Sequence, residues 1–247
     1  MFMGLGTLIN LAAVAVGGSF GMFAGDRLPE RVRRTIMQGL GLVVLAVAIV
    51  GLEPLYDADT GLRRALVLIV GIIVGGLIGE AFRLEDRLEA LGGKVQRRFA
   101  ATGGDGSGDE SHRFVEGFVV ASTVFCTGPL TVVGSIEDGL GISIRLLAIK
   151  SALDFFAAIG FASVYGAGVL ASLATILVYQ GGLTLASSLV EPLMTPEVLA
   201  QLGAVGSLLV LGIGLRLLDI ARIRIVSLMP ALIIGPAIAG VVDAIFF

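Results

Sequence analysis

The chain has a single cysteine and a single histidine among its 247 residues. Cys126 alone excludes an intrachain disulfide and carries no compartment signal. His112 stands far from it, in a polar stretch, so no cluster with metal-ligand spacing is present and no metal site is expected. Charge is scarce as well: Asp, Glu, Lys and Arg make up 15% of the chain, against about 25% in a soluble domain. The net charge of −3 provides no basic footprint for nucleic acid. HExxH, GxSxG and P-loop patterns are missing. Gly106-Ser107-Gly108-Asp109 matches the GxGD pattern of intramembrane aspartyl proteases, but it sits in a polar linker with no suitably placed second membrane Asp. No enzymatic activity, catalytic residue or cofactor is therefore expected. The opening Met1–Gly6 lacks the basic region of a signal peptide and reads as the start of a first membrane helix.

Apolar sequence fills the space that charge leaves. Hydrophobic residues are 56% of the chain, the mean hydropathy is +0.98, and 36 residues are glycine, a composition suited to close helix packing in lipid. A helix crosses about 30 Å of hydrocarbon with about 20 apolar residues. Eight segments meet that length approximately: 4–24, 35–52, 63–82, 114–135, 145–163, 167–188, 199–218 and 225–246. The expected fold is thus an all-α polytopic membrane protein. Pro129 interrupts the fourth segment, which either crosses as a broken helix or turns back as a re-entrant hairpin. A tight Tyr165-Gly166-Ala167-Gly168 turn joins the fifth and sixth.

Lys and Arg concentrate on cytoplasmic flanks. With the N-terminus outside and all eight segments crossing, they divide 13 inside to 4 outside; a re-entrant fourth segment gives 12 to 5. Either way the N-terminus is outside and the longest loop, 83–113, is cytoplasmic. Leu84, Leu88, Leu91, Val95 and Phe99 give its first half an amphipathic surface helix. Residues 102–111 read as a flexible linker. Four regions follow: 1–82 (spans 1–3), 83–113 (surface helix and linker), 114–163 (spans 4 and 5) and 164–247 (spans 6–8).

The two ends resemble each other. Gly17-Gly18 is followed by Leu28-Pro29-Glu30-Arg31, and Gly181-Gly182 by Thr195-Pro196-Glu197-Val198, each leading into a glycine-containing apolar helix and then a last one. Spans 1–3 would match spans 6–8 at an odd offset, the pattern of an inverted repeat. Transporters with such repeats often bind near the midplane, at interrupted helices. Gly17-Gly18 and Gln180-Gly181 occupy corresponding positions, with Asn10 and Thr184 nearby. A break there would free amides or carbonyls. The competing reading is packing: Gly17, Gly21 and Gly25, like Gly71, Gly75 and Gly79, form GxxxGxxxG faces, which are also compatible with a homodimer. Asn10 and Gln180 serve either a site or interhelical hydrogen bonding.

Residues 126–154 carry the remaining polarity. Thr127-Gly128-Pro129 opens the backbone in the fourth span. Glu137-Asp138-Gly139 follows, either an acidic mouth that gathers cations or a solvated turn. Lys150 and Asp154, four residues apart, share one helix face deep in the fifth span. They form a structural ion pair, or a proton or cation site with Lys150 as counter-charge.

The runs Cys126-Thr127-Gly128-Pro129, Gly134-Ser135-Ile136-Glu137-Asp138-Gly139-Leu140, Lys150-Ser151-Ala152-Leu153-Asp154 and Tyr179-Gln180-Gly181, together with Gly6-Thr7-Leu8-Ile9-Asn10 and Gly17-Gly18, resemble the bacterial membrane family catalogued as domain of unknown function 554. The resemblance covers essentially the whole chain. It implies a polytopic protein of the bacterial inner membrane, and the YqgA-like members carry a transport label. The expected function is transport of a small solute or ion, proton- or cation-coupled, through Asn10, Gly17, Gly18, Thr127, Gly128, Glu137, Asp138, Lys150, Asp154, Gln180 and Gly181. The bilayer and that solute are the expected partners. A non-transporting assembly or sensor module, and an ion channel, are the alternatives.

Overall fold

Lipid offers no partner to a backbone amide or carbonyl, so a long apolar run must close on itself as a helix. The computed structural model describes residues 2–25, 29–87, 90, 108–126 and 129–246. Its α-helices are α1 (Leu5–Gly25), α2 (Glu30–Gly51), α3 (Gly61–Ala81), α4 (Gly108–Cys126), α5 (Pro129–Gly139), α6 (Arg145–Tyr165), α7 (Ala167–Leu185), α8 (Ser187–Val190), α9 (Pro196–Leu217), α10 (Ile225–Leu228) and α11 (Ala231–Phe246). Short 3-10 turns lie at Glu53–Tyr56 and Glu191–Leu193. All regular structure among the described residues is helical. Seven stretches are long and apolar enough to cross a membrane, Ile225–Ile245 among them. They overlie seven of the eight expected spans, so the chain is an all-α polytopic membrane protein. Leu88, Leu91, Val95 and Phe99 of the expected surface helix, and residues 102–107 of the linker, lie outside the described residues.

Close contacts give the direction of each helix. Gly6 of α1 faces Leu147 of α6, Gly17 faces Phe155, Gly21 faces Ile159 and Gly25 faces Ser163. Both numbers rise together, so α1 and α6 are parallel. Antiparallel pairs follow by the same test: Gly71, Gly75 and Gly79 of α3 face Gly235, Ala231 and Ser227, while Gly41 and Gly51 of α2 face Leu218 and Ser207. The end of the bundle where α1 begins is here its upper end. Arg64 at the top of α3 donates to both carboxylate oxygens of Glu197 at the top of α9, at 3.0 and 2.6 Å, and Arg63 pairs with the same group at 3.0 Å. At the lower end Arg224 pairs with Glu80 at 2.7 Å and with Asp86 at 2.9 Å.

The same contacts settle the course of the fourth segment. Its two helices, over Arg113–Cys126 and Leu130–Gly139, bend by 63° across a short break. Phe114 in α4 touches Gly168, just past the lower end of α6, whereas Gly139 in α5 touches Thr184 and Ser187 at the upper end of α7. The pair therefore runs from one end of the bundle to the other as a broken span. Gly166, at φ +66°, makes the tight turn between α6 and α7.

The glycine faces are used up inside the chain. A Cβ on Gly17 would come 2.5 Å from the Phe155 carbonyl oxygen, and one on Gly75 would come 2.5 Å from the Ala231 nitrogen. Neither face is left for a homodimer, which removes that argument for one.

Two outcomes follow. Gly21→Ala drives a methyl group into the Ile159 carbonyl and should cost about 1–3 kcal/mol in detergent unfolding, while Gly39→Ala, with nothing within 4 Å of its added Cβ, should cost nothing. In a Cys126→Ser background, Ile142→Cys should react with an impermeant thiol reagent from the same side as Asp59→Cys and from the opposite side to Asp219→Cys. Labelling of Ile142→Cys with Asp219→Cys would mean a re-entrant fourth segment.

Candidate functional site

A helix begins with four backbone N–H groups that have no intrahelical acceptor. In α1 the amides of Leu5 and Leu8 reach the carbonyls of Phe2 and Gly4 just before the helix, while those of the buried Gly6 and Thr7 need another acceptor. Asp138, one residue before the end of α5, supplies the acceptors. Gly6 N donates to Oδ1 at 3.1 Å, and Thr7 N to Oδ2 at 3.1 Å, with the Thr7 hydroxyl 3.4 Å from the same oxygen. A carboxylate there also meets the positive end of the α1 dipole. Gly6 has to be small: a Cβ would lie 2.8 Å from Leu147 and 3.2 Å from the Asp138 carboxyl carbon. Asp138 is fully buried. This corrects both expectations for Glu137-Asp138, since Asp138 neither lines a mouth nor sits in a solvated turn. The bend before α5 aims its end inward at α1. Glu137 is half-buried and takes no part.

From Asp138 a row of side chains runs inward. The Thr7 hydroxyl lies 3.0 Å from that of Thr184, and Gln180 Nε2 donates to it at 3.2 Å. Asn10 Nδ2 then donates to Gln180 Oε1 at 2.8 Å. All of these residues are buried. One orientation satisfies every link: Asn10 to Gln180, Gln180 and Thr184 to Thr7, Thr7 to Asp138. The donors all point toward the carboxylate. At the inner end of the row the Asn10 side chain interacts with Asp154, and its own oxygen, Oδ1, is buried without a hydrogen-bond partner among the described residues.

Asp154 and Lys150 are ion-paired one turn apart on α6 and are exposed by only 6% and 5%. Asp154 stands nine residues into the helix, roughly 14 Å along its axis at about 1.5 Å per residue, close to the midplane of a bilayer core about 30 Å thick. Cys126, the last residue of α4, is within electrostatic reach of both charges, so the fourth span breaks beside the pair. Thr127 and Gly128 themselves lie outside the described residues. Below the pair the bundle is filled by Val14, Phe125, Phe161, Val169 and Ile176, with the two rings 6.2 Å apart. Among the described residues no three His, Cys, Asp or Glu groups converge to hold a metal ion.

The expected breaks at Gly17-Gly18 and Gln180-Gly181 are not there. Helices α1 and α7 continue through both positions, so their amides and carbonyls stay bonded in the chain. Gly17 and Gly18 instead admit Phe155 and Leu170 at close range, while Gly181 meets only Leu177, at 3.8 Å. Lys150, Asp154, Asn10, Gln180 and Asp138 are brought into one region. Thr7 was not singled out from sequence, although it lies three residues before Asn10 on the face that also carries Val14 and Gly17.

Removing the Asp138 carboxylate strands buried amides. Asp138→Ala should lower unfolding stability in detergent by about 2 kcal/mol, and Asp138→Asn, which keeps an acceptor, by clearly less. Equal losses would show that the cap does not hold α1.

Comparison with known proteins agrees with a membrane protein. The family described as "Protein of unknown function (DUF554)" matches residues 5–240. The chain is 30% identical over 244 residues to the uncharacterized protein YqgA of Escherichia coli, covering 99% of this chain and 100% of that one. It is 26% identical over 239 residues to the uncharacterized membrane protein YdfK of Bacillus subtilis, covering 97% of each. No solved structure matches. The chain belongs to the DUF554 family of membrane proteins of unknown function.

Proposed function

We propose that the protein is a bacterial membrane transporter whose coupling site is Asp154, with Lys150 as counter-charge and Asn10 as a further ligand. The observation that carries this reading is the inner end of the polar row. A carboxylate near the midplane is expensive, and it stands beside an amide oxygen that has no donor of its own among the described residues. A proton or a small monovalent cation on Asp154 suits both groups. The close packing around the pair favours an occupant of that size over a bulky solute.

Two further features support the proposal. Arg63, Arg64 and Arg145 lie at the upper end, and every other described arginine lies at the lower end. By the positive-inside rule the lower end is cytoplasmic and the N-terminus outside, in the cytoplasmic membrane. Helices α1, α2 and α3 start at the upper, lower and upper ends, and α7, α9 and α11 at the lower, upper and lower. Each packs against its counterpart: α1 on α7, α2 on α9, α3 on α11. A two-fold axis in the membrane plane produces that pairing, as in transporters with inverted repeats.

The test separates a site from a structural ion pair. Asp154→Asn alone leaves Lys150 buried and unpaired, at a cost of about 3–5 kcal/mol. The double variant Lys150→Met/Asp154→Asn should recover that stability. Charge movement or proton flux in proteoliposomes should be absent from both variants. Flux retained by the double variant would reduce the pair to a structural role and favour a site elsewhere.

A further inference from the structure

The lower end of the bundle has a feature that the polar row does not use. A cavity of about 1320 Å³ opens there, with the ends of α6 and α9 in its wall. Five arginines line it, and two of them are neutralised. Arg216 is held by Glu116 at 3.0 Å and by Glu85 at 3.7 Å, and Arg224 by Glu80 and Asp86. The guanidiniums of Arg34, Arg113 and Arg222 have no carboxylate partner among the described residues. Among the described residues Arg113 donates to the carbonyl of Val164, an uncharged acceptor. Against these three stands, among the described residues, one unpaired lining carboxylate, Asp219.

We infer that this cavity binds an anion bearing carboxylate or phosphate oxygens. The reasons are chemical. Guanidinium presents a planar fork of donors that matches such oxygens two at a time. Three forks without carboxylate partners among the described residues form a donor set that lacks only the acceptor. The volume suits a small metabolite, which the packed surroundings of Asp154 do not. The bound group is either a free anion from the cytoplasmic side or the headgroup of an anionic lipid; both present the same oxygens. The site does not rest on the proposed coupling at Asp154, because binding is read without transport.

The full-length protein would be placed in phosphatidylcholine nanodiscs and titrated with inorganic phosphate and with succinate at constant ionic strength, against chloride. A parallel preparation would contain phosphatidylglycerol. Wild-type protein should show saturable thermal stabilisation. In Arg34→Gln/Arg222→Gln the apparent affinity should fall about tenfold or more. Those two side chains are exposed and unpaired, so the variant should fold as the wild type does. Arg113→Lys, which keeps the charge but not the fork, should lie between the two. Stabilisation by phosphate or succinate identifies a free anion, and stabilisation by phosphatidylglycerol alone identifies a headgroup. Equal responses of wild-type and Arg34→Gln/Arg222→Gln protein, or no response beyond chloride in either preparation, would overturn the inference.

Discussion

The close parallel contact of α1 with α6 sets the rest of the arrangement. Three glycines on α1 bring its backbone against the carbonyls of Phe155, Ile159 and Ser163, a separation any larger residue would forbid. Two consequences follow. The buried amides of Gly6 and Thr7 need an acceptor, which the bent α5 delivers as Asp138. Asn10 is also held level with the charged turn of α6. Glycine thus acts in this site by deciding what stands beside the polar groups, while the helices themselves remain intact.

Along the membrane normal the molecule has three layers. A hydrogen-bonded row occupies the upper half and ends at Asp154 and Lys150. An apolar plug around Phe125 and Phe161 follows. Below it lies a charged cavity open to the lower end. The buried charges of Asp154 and Lys150, at the inner end of the row, interact strongly, since no water screens them, and each is costly if left alone. Exposed charges such as Arg224 and Asp86 are worth little individually. The proposed transport needs this contrast: a site whose occupancy matters energetically, separated from solution by a barrier that packing can rearrange.

Much of this was legible in the sequence. Hydropathy alone located the spans, and the four-residue spacing of Lys150 and Asp154 placed them on one face. Asn10 and Gln180 stood out as amides in apolar helices, and the structure joins them directly. Asp138 was not legible as a cap. Its neighbours Glu137 and Gly139 look like a surface turn, and only the 63° bend, a long-range property, turns it inward. Gly17-Gly18 and Gln180-Gly181 could not be assigned because a break and a close contact use the same lack of a side chain. The choice between them depends on what packs alongside. Charge counting could not separate a crossing fourth span from a re-entrant one, since Arg145 and Lys150 then exchange sides with Arg216, Arg222 and Arg224 and the balance moves by only one.

Everything proposed for the upper half requires Asp154 to exchange its occupant and not simply to hold Lys150. Infrared difference spectroscopy of the reconstituted protein, recorded across pH and with different monovalent cations, reads that carboxylate directly. The account predicts a carboxyl or carboxylate band that changes with pH or cation in wild-type protein and is missing from Lys150→Met/Asp154→Asn. A spectrum in which no such band responds to either variable would contradict it.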